Sequence, residues 1–369
     1  MLQNRATADA TSAYVGRFVS LPDHFRHAIG LSVSSIGIGT YLGDHDKETD
    51  RAYEEAIKAA LLGGINLIDT SINYRFQRSE RSIGKALGEL VANGRIRREE
   101  VVVATKGGYI TFDGDVPADP RAYLRENYLK TGLIRPDDLV EGSHCIAPRY
   151  IDAMIEASRA NLGLETIDIY YLHNPETQLG KLERPEFLAR MSAAFELLER
   201  KVAEGRIGVY GAATWNGFRI DPKERGYLSL DELVKLAAEV GGKDHHFRAI
   251  QLPYNLAMPE ALAVSNQRVA AGQATVLQAA RSMGVAVCAS ASILQGRLAQ
   301  GLPSVVADAF GGLGSDAQRS VQFVRSTPGI DVALVGMKSV AHVREIIETA
   351  KVPPAPFEAI LKLFRRTEA

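Results

Sequence analysis

The sequence predicts one α/β domain, a (β/α)8 TIM barrel, and three observations predict it. Eight short runs of β-forming residues alternate with amphipathic stretches of helix length, the pattern of βαβ units around a parallel sheet. Several of those runs are almost continuously apolar, as strands covered on both faces must be. Eight strand–helix pairs suit a closed barrel better than an open doubly wound sheet, and a chain of 369 residues is an ordinary length for a barrel with insertions.

In chain order the strands are SSIGIGT (34–40), INLIDTS (65–71), VVVATKG (101–107), IDIYYLH (167–173), IGVYGAA (207–213), AIQLPYN (249–255), VAVCASA (285–291) and DVALVGM (331–337). The helices fall at 49–62, 80–92, 148–162, 187–203, 229–240, 274–283, 315–326 and 340–350. The stretch 148–162 carries the reasoning: Ile151, Ile155, Ala157, Ser158 and Leu162 form a stripe of period 3.6, Pro148 suits a first turn, and Gly163 suits the residue past the end. A further helix is expected over 356–366.

Residues 1–25 are expected to form an N-terminal extension and 26–369 the barrel, with FVSLPDHFRHAI (18–29) as a hairpin that plugs its bottom. The connections 108–146 and 256–273 exceed the roughly 2–6 residues usual between such units. Barrels build their sites on the face to which these loops belong, so both are candidate substrate walls.

With 43 basic against 44 acidic residues there is no excess of positive charge to bind a phosphate backbone or an anionic membrane, so neither nucleic acid nor membrane is expected as a partner. Cys145 and Cys288 stand apart without zinc-site or disulfide spacing, and no carboxylate or cysteine spacing around His245 and His246 suggests a metal. That pair reads as loop surface. The start MLQNRATADATSAYVGRF lacks a basic segment followed by an apolar run, and no apolar stretch nears membrane-spanning length, so a reducing, cytoplasmic setting is expected.

Chemistry concentrates in DTSINYRFQRSERSIGKAL: Asp69 ends the second strand and Tyr74 lies five residues further, at the mouth of the next helix. Lys106 ends the third strand, and His144 in EGSHCIAP precedes the following helix. These four groups come from successive units and converge on one rim. A phenol of pKa about 10 is a poor acid near neutrality, but an adjacent ammonium stabilises its phenolate. Lys106 is placed to supply that charge and Asp69 to hold the lysine. His173, at the end of YYLHNP, is read as a rim residue bonded to its neighbours, and Trp215 and Tyr109 as pocket lining or packing.

Taken with GIGTYLG, ATKGG, SHCIAPRYIDAMIEASRANLGLETIDIYYLHNP, GRIGVYGAATW, IQLPYN and GMKSVAHVREII, this set resembles the aldo-keto reductase superfamily from about residue 26 to 350. The resemblance implies a barrel that binds nicotinamide without a Rossmann domain, and a catalytic tetrad of Asp69, Tyr74, Lys106 and His144. Tyr74 is its acid/base, and His144 orients a carbonyl oxygen. It further implies that Gln251 holds the nicotinamide carboxamide, and that Lys338, Ser339 and Arg344 grip the 2′-phosphate of NADP(H), whose charge basic side chains must compensate. Thr40, in the tight turn GIGTYLG, and Glu348 are the remaining expected cofactor contacts. The substrate implied is a small carbonyl or alcohol compound.

Three departures stand out. Gly211, Ala212, Ala213 and Thr214 replace the usual Gly-Val-Ser-Asn, Ser290 to Ile293 replace a Tyr-Ser-Pro-Leu run whose ring stacks on nicotinamide, and Glu348 replaces an adenine-facing asparagine. They leave three other readings open: an aldose dehydrogenase of the same superfamily, a non-redox barrel acting as a binding or regulatory protein, and a lyase using Tyr74 and Lys106.

Overall fold

Neighbouring residues of the predicted strands serve two different layers. Leu67, Val102, Ile169, Tyr171, Ala249 and Leu334 pack together inside the barrel, while the adjacent Ile68, Val103, Tyr170, Leu172, Ile250 and Ala333 pack outward against helices. A strand buried on both faces has no polar side, which is why these runs lack strict alternation.

The computed structural model describes residues 1–364. Eight parallel strands close into one barrel: β1 (Ile36–Gly39), β2 (Leu67–Asp69), β3 (Val102–Gly107), β4 (Ile167–His173), β5 (Ile207–Ala213), β6 (Phe247–Pro253), β7 (Ala286–Ser290) and β8 (Val332–Gly336). The principal helices between and after them are α1 (Lys47–Leu62), α2 (Arg78–Ala92), α3 (Pro148–Leu162), α4 (Arg184–Ala203), α5 (Leu230–Gly241), α6 (Val276–Ser282), α7 (Asp316–Ser326) and α8 (Val340–Ala350). Every predicted strand and each of these helices is present, with boundaries moved by a few residues at most. Of the helix expected over 356–366, Phe357–Lys362 forms, and its last two positions lie outside the described residues.

The helix starts follow from side chains that accept backbone N–H groups. Asp46 caps α1, Ser229 caps α5 and Ser339 caps α8, while Thr275 and Ser315 form reciprocal capping boxes with Gln278 and Gln318. Pro148 opens α3 and Gly163, at φ 65°, closes it in the left-handed conformation that glycine adopts without strain.

The bottom of the barrel is plugged by a hairpin, Phe25–Ala28 paired with Leu31–Ser34, and Ala28 and Val33 join the interior cluster. It lies several residues later than the 18–29 expected, because the chain turns at Ile29 and Gly30, both at positive φ. The first residues also pack on this end: the Ala6 N–H donates to Asp168 Oδ1 at 2.7 Å, beside the buried Arg98–Asp168 pair.

In the barrel wall β5 and β6 approach so closely that a Cβ on Gly211 would lie 1.7 Å from the Ala249 carbonyl oxygen. The register between these strands shifts at Tyr210 and Gly211, just before the residues that reach the cleft. Among the described residues no helix is long and apolar enough to cross a membrane.

Candidate active site

The strands deliver their last residues to one cleft of about 460 Å³ at the carboxyl end of the barrel. Asp69, the final residue of β2, is buried there, and Lys106 Nζ from β3 donates to its Oδ2 at 2.7 Å and to the Thr70 carbonyl at 2.7 Å. Nζ also lies 3.4 Å from the Tyr74 hydroxyl. The other carboxylate oxygen of Asp69 accepts from Gln251 Nε2 at 2.8 Å. Asp69 is therefore fixed by β3 on one side and β6 on the other, and it fixes the ammonium beside the phenol.

Burial of Tyr74 pushes its phenol above the ordinary value, and the Lys106 ammonium opposes that rise in part. Burial of Lys106 by itself favours the neutral amine, but the neighbouring Asp69 and Tyr74 outweigh it and hold the ammonium above its usual range. At neutral pH Tyr74 is thus a neutral phenol and Lys106 an ammonium.

The expected position of His144 is corrected. Its ring is fully buried behind the cleft wall: Nε2 meets the His173 carbonyl oxygen at 2.7 Å and Nδ1 meets Gln178 Nε2 at 2.7 Å. Gln178 Oε1 accepts from Arg190 at 3.2 Å, so Gln178 donates to Nδ1 and the ring donates from Nε2. Burial pulls this imidazole down to about 4, and it has no free atom to offer a ligand.

The histidine that lines the cleft is His173, the last residue of β4. Its ring centroid lies 5.9 Å from that of Tyr74, and Ser71 Oγ is 3.2 Å from its Nδ1. Burial, then Lys106, then His144 push it well below the usual imidazole value, so it is neutral. The rule that selects Asp69 and Lys106, a polar residue ending a barrel strand, selects His173 as well. His144 instead belongs to a loop that folds back in bridges to Tyr109 and Val140.

Thr40 and Gln251, the residues expected to contact the cofactor, line the cleft, and Thr40 Oγ1 donates to Thr70 Oγ1 at 2.8 Å. Ala213, Thr214 and Ser290 to Ile293 line it too, and the Thr214 hydroxyl is buried without a protein partner. Ser339 caps α8 by accepting the His342 N–H at 3.2 Å. Lys338 and Arg344 flank that helix start, exposed, and neither joins an ion pair among the described residues. Glu348 is exposed, and its Oε1 pairs with Lys351, the residue just past α8, at 2.6 Å.

The substrate walls differ from those expected. Segment 256–273 forms a short helix, Glu260–Ala263, and a small hairpin that packs against the start of α5, where Gln267 Oε1 accepts from the Leu230 N–H at 2.9 Å; none of it lines the cleft among the described residues. Segment 108–146 contributes Tyr109 alone. Tyr41, Asn73, Asn174, Trp215 and Gln295 also line it, from the loops after β1, β2, β4, β5 and β7. His245 also departs from the surface reading: it is buried, whereas His246 pairs with Glu199 at 2.7 Å. Among the described residues no group of three or more His, Cys, Asp or Glu side chains is arranged for a metal ion.

A closed parallel barrel with a buried carboxylate, lysine and tyrosine linked at the carboxyl end of its strands defines the class of this protein. Residues 35–301 match the model of the aldo/keto reductase family, and the chain belongs to that family. It is 28% identical over 231 residues to the NADH-specific methylglyoxal reductase of Escherichia coli (60% of each chain), and 30% identical over 189 residues to the D-threo-aldose 1-dehydrogenase of a Pseudomonas species (50% of this chain and 51% of that one). These matches span about half to three fifths of the relatives' length. An aldo/keto reductase from Klebsiella pneumoniae, solved with NADP and acetate, superposes with a TM-score of 0.61 at 20% identity, covering 92% of this chain and 94% of that one.

Proposed function

We propose that this protein is an NADP(H)-dependent oxidoreductase that reduces an uncharged aldehyde or ketone to an alcohol. The observation that carries the reading is the linked set Gln251–Asp69–Lys106–Tyr74, with Tyr74 and His173 facing one cleft. In it Tyr74 donates the proton to the carbonyl oxygen, Lys106 stabilises the phenolate left behind, and Asp69 keeps the ammonium in place. His173 takes the role expected of His144. Its neutral ring faces the cleft beside Tyr74, and in the tautomer that carries its proton on Nε2 it points a donor at the carbonyl oxygen and orients it.

The residues present fit a nicotinamide cofactor. Thr214 keeps an unpartnered hydroxyl at the cleft and Gln251 keeps its Oε1, together a donor and an acceptor suited to a carboxamide. Lys338 before α8 and Arg344 in its second turn are unpaired among the described residues, and two cations beside a helix N-terminus suit a phosphate. When bound, the nicotinamide supplies the hydride. Apart from Asp69, no charged side chain lines the cleft among the described residues, which favours a neutral substrate over a keto acid or sugar phosphate. Likeness to the aldose dehydrogenase favours a second direction, oxidation of an aldose with Tyr74 as base.

Titration of nicotinamide fluorescence with NADPH and NADH tests this. NADPH is expected to bind more tightly than NADH, and the double variant Lys338→Ala, Arg344→Ala to lose roughly tenfold to a hundredfold for NADPH alone, since charge-assisted hydrogen bonds are worth about 1.5–3 kcal/mol before exposure weakens them. Equal binding of both cofactors, as an NADH-specific relative allows, removes the phosphate reading. Binding of neither removes the oxidoreductase.

A further inference from the structure

The residues that follow His173 form a turn, Pro175–Gly180, whose side chains reach the cleft walls rather than the cleft. Asn174 Nδ2 donates to the Tyr109 hydroxyl at 3.0 Å, and Thr177 Oγ1 lies 3.4 Å from the same oxygen. Gln178 orients His144, which holds the His173 carbonyl. Between them Glu176 accepts, on a single oxygen, three successive backbone N–H groups: Trp215 at 2.8 Å, Asn216 at 3.1 Å and Gly217 at 3.3 Å. Its other oxygen is buried with no partner among the described residues.

Those three N–H groups belong to the loop that leaves β5. The same loop is held from its other side by Arg219, whose Nε donates to the Trp215 carbonyl at 3.0 Å and whose guanidinium pairs with Glu260 at 2.8 Å. Trp215 itself lines the cleft with 43% of its surface exposed. A half-exposed indole on a loop normally has several orientations open to it. Here the backbone beneath it has both its donors and its acceptor engaged.

We propose that Glu176 is a positioning residue, which locks the 215–217 turn so that Trp215 stands as a fixed wall of the substrate half of the cleft and selects compounds with an apolar or ring face to lay against it. A rigid aromatic surface takes part in binding at little entropic cost, whereas a mobile one must first be ordered. The three N–H groups require an acceptor, and a carboxylate or amide oxygen at this place supplies one while alanine does not. The selective role rests on the reductase reading above; the mechanical role does not.

Trp215 is the one tryptophan in the chain, so intrinsic fluorescence reads this wall alone. In Glu176→Ala the emission is expected to shift to the red and acrylamide quenching to rise. KM for a ring-bearing aldehyde such as benzaldehyde should increase about tenfold, with kcat, NADPH affinity and KM for a small aldehyde such as propanal within about twofold. Glu176→Gln keeps an acceptor oxygen and should behave as the parent. Trp215→Ala leaves the Glu176 side chain in place and should raise the same KM by the same factor, with no further rise when combined with Glu176→Ala. It remains informative where Glu176→Ala does not fold.

Unchanged emission and quenching in Glu176→Ala overturn the proposal, and so does a changed emission that leaves KM for benzaldehyde where it was. Where Glu176→Ala does not fold, unchanged KM for benzaldehyde in Trp215→Ala overturns it. If the parent protein oxidises NADPH with no aldehyde, the reductase reading fails, and the fluorescence series still decides whether Glu176 holds Trp215.

Discussion

Tyr74 stands between opposing effects, burial that raises its pKa and the Lys106 ammonium that lowers it. Reduction consumes the protonated phenol, so kcat/KM for a carbonyl should be level through acid and neutral pH and fall as pH rises through the Tyr74 value. Oxidation of the alcohol needs the phenolate and should rise over the same window. Lys106→Met removes the opposing charge, so both limbs should move to higher pH, and kcat for reduction should drop by about two to four orders of magnitude, as for loss of an acid/base group. His173→Gln should fall into the same range, while His144→Asn, which keeps an acceptor for Gln178 and loses the donor to the His173 carbonyl, should stay within about fivefold of the parent, since His144 does not line the cleft and one such hydrogen bond is worth roughly 1 kcal/mol. pH profiles of the four proteins in both directions decide this, and a larger loss in His144→Asn than in His173→Gln would return the orienting role to His144. Asp69 and Lys106 were legible in the sequence because a polar residue ending an apolar strand has only the cleft to enter. The same signal marked His173. It was outweighed by the placement of His144 before a helix, and nothing in the 108–146 segment announces that it folds back and buries that ring.

At the scale of elements, the turn that carries Tyr74 is strained. Arg75, Phe76 and Gln77 are successive non-glycine residues at φ 47°, 54° and 73°, and each such residue costs about 1–3 kcal/mol unless its surroundings enforce it. The enforcement is visible: Arg75 bonds Asp50 at 2.6 Å and the Asp44 carbonyl at 2.7 Å, and Gln77 bonds the Phe112 carbonyl at 2.9 Å. Arg75→Ala removes the anchors and keeps the strain. Arg75→Gly removes both, so it should be the milder change by about 1 kcal/mol, the reverse of the usual order of alanine and glycine in a helical turn. Both should lower stability by about 3 kcal/mol or less, because Asp50 retains Arg78 and is itself 22% exposed. Urea unfolding of the two variants gives the order directly, and a more stable Arg75→Ala would show that the turn is not strained. The strands and helices around this turn were legible because apolar period and capping residues are local. The loops were less so: 256–273 is long and yet packs outside the barrel, since its hairpin and its Gln267 contact with α5 depend on partners far away in sequence.

For the whole molecule, four histidines are buried with their imidazoles pushed below the usual value, His245 among them through burial and Arg248. His24 is pulled down to about 3 by burial and by Arg325, His144 to about 4 by burial, and His173 well below its usual value. In the unfolded chain each takes up a proton near pH 6.5. A depressed folded value means that the stabilisation is complete above about pH 6.5 and is lost as pH falls toward the folded value, because the unfolded state then binds more protons, at about 1.4 kcal/mol per pH unit for each histidine. Buried carboxyls act in the opposite sense. Burial raises Glu80, Glu176 and Asp331, so the folded state takes up their protons first and gains on acidification. The slope of the intact protein mixes the two contributions, and a single variant separates them. His144→Asn, less stable than the parent at pH 7, carries no titrating group at that site, so the gap between parent and variant should narrow by about 1.4 kcal/mol for each pH unit between roughly 6 and 4.5. Urea midpoints and slopes measured in parallel across that window read the gap. A constant gap would mean that His144 takes up its proton in the folded state as readily as in the unfolded one, which its two hydrogen bonds and full burial oppose.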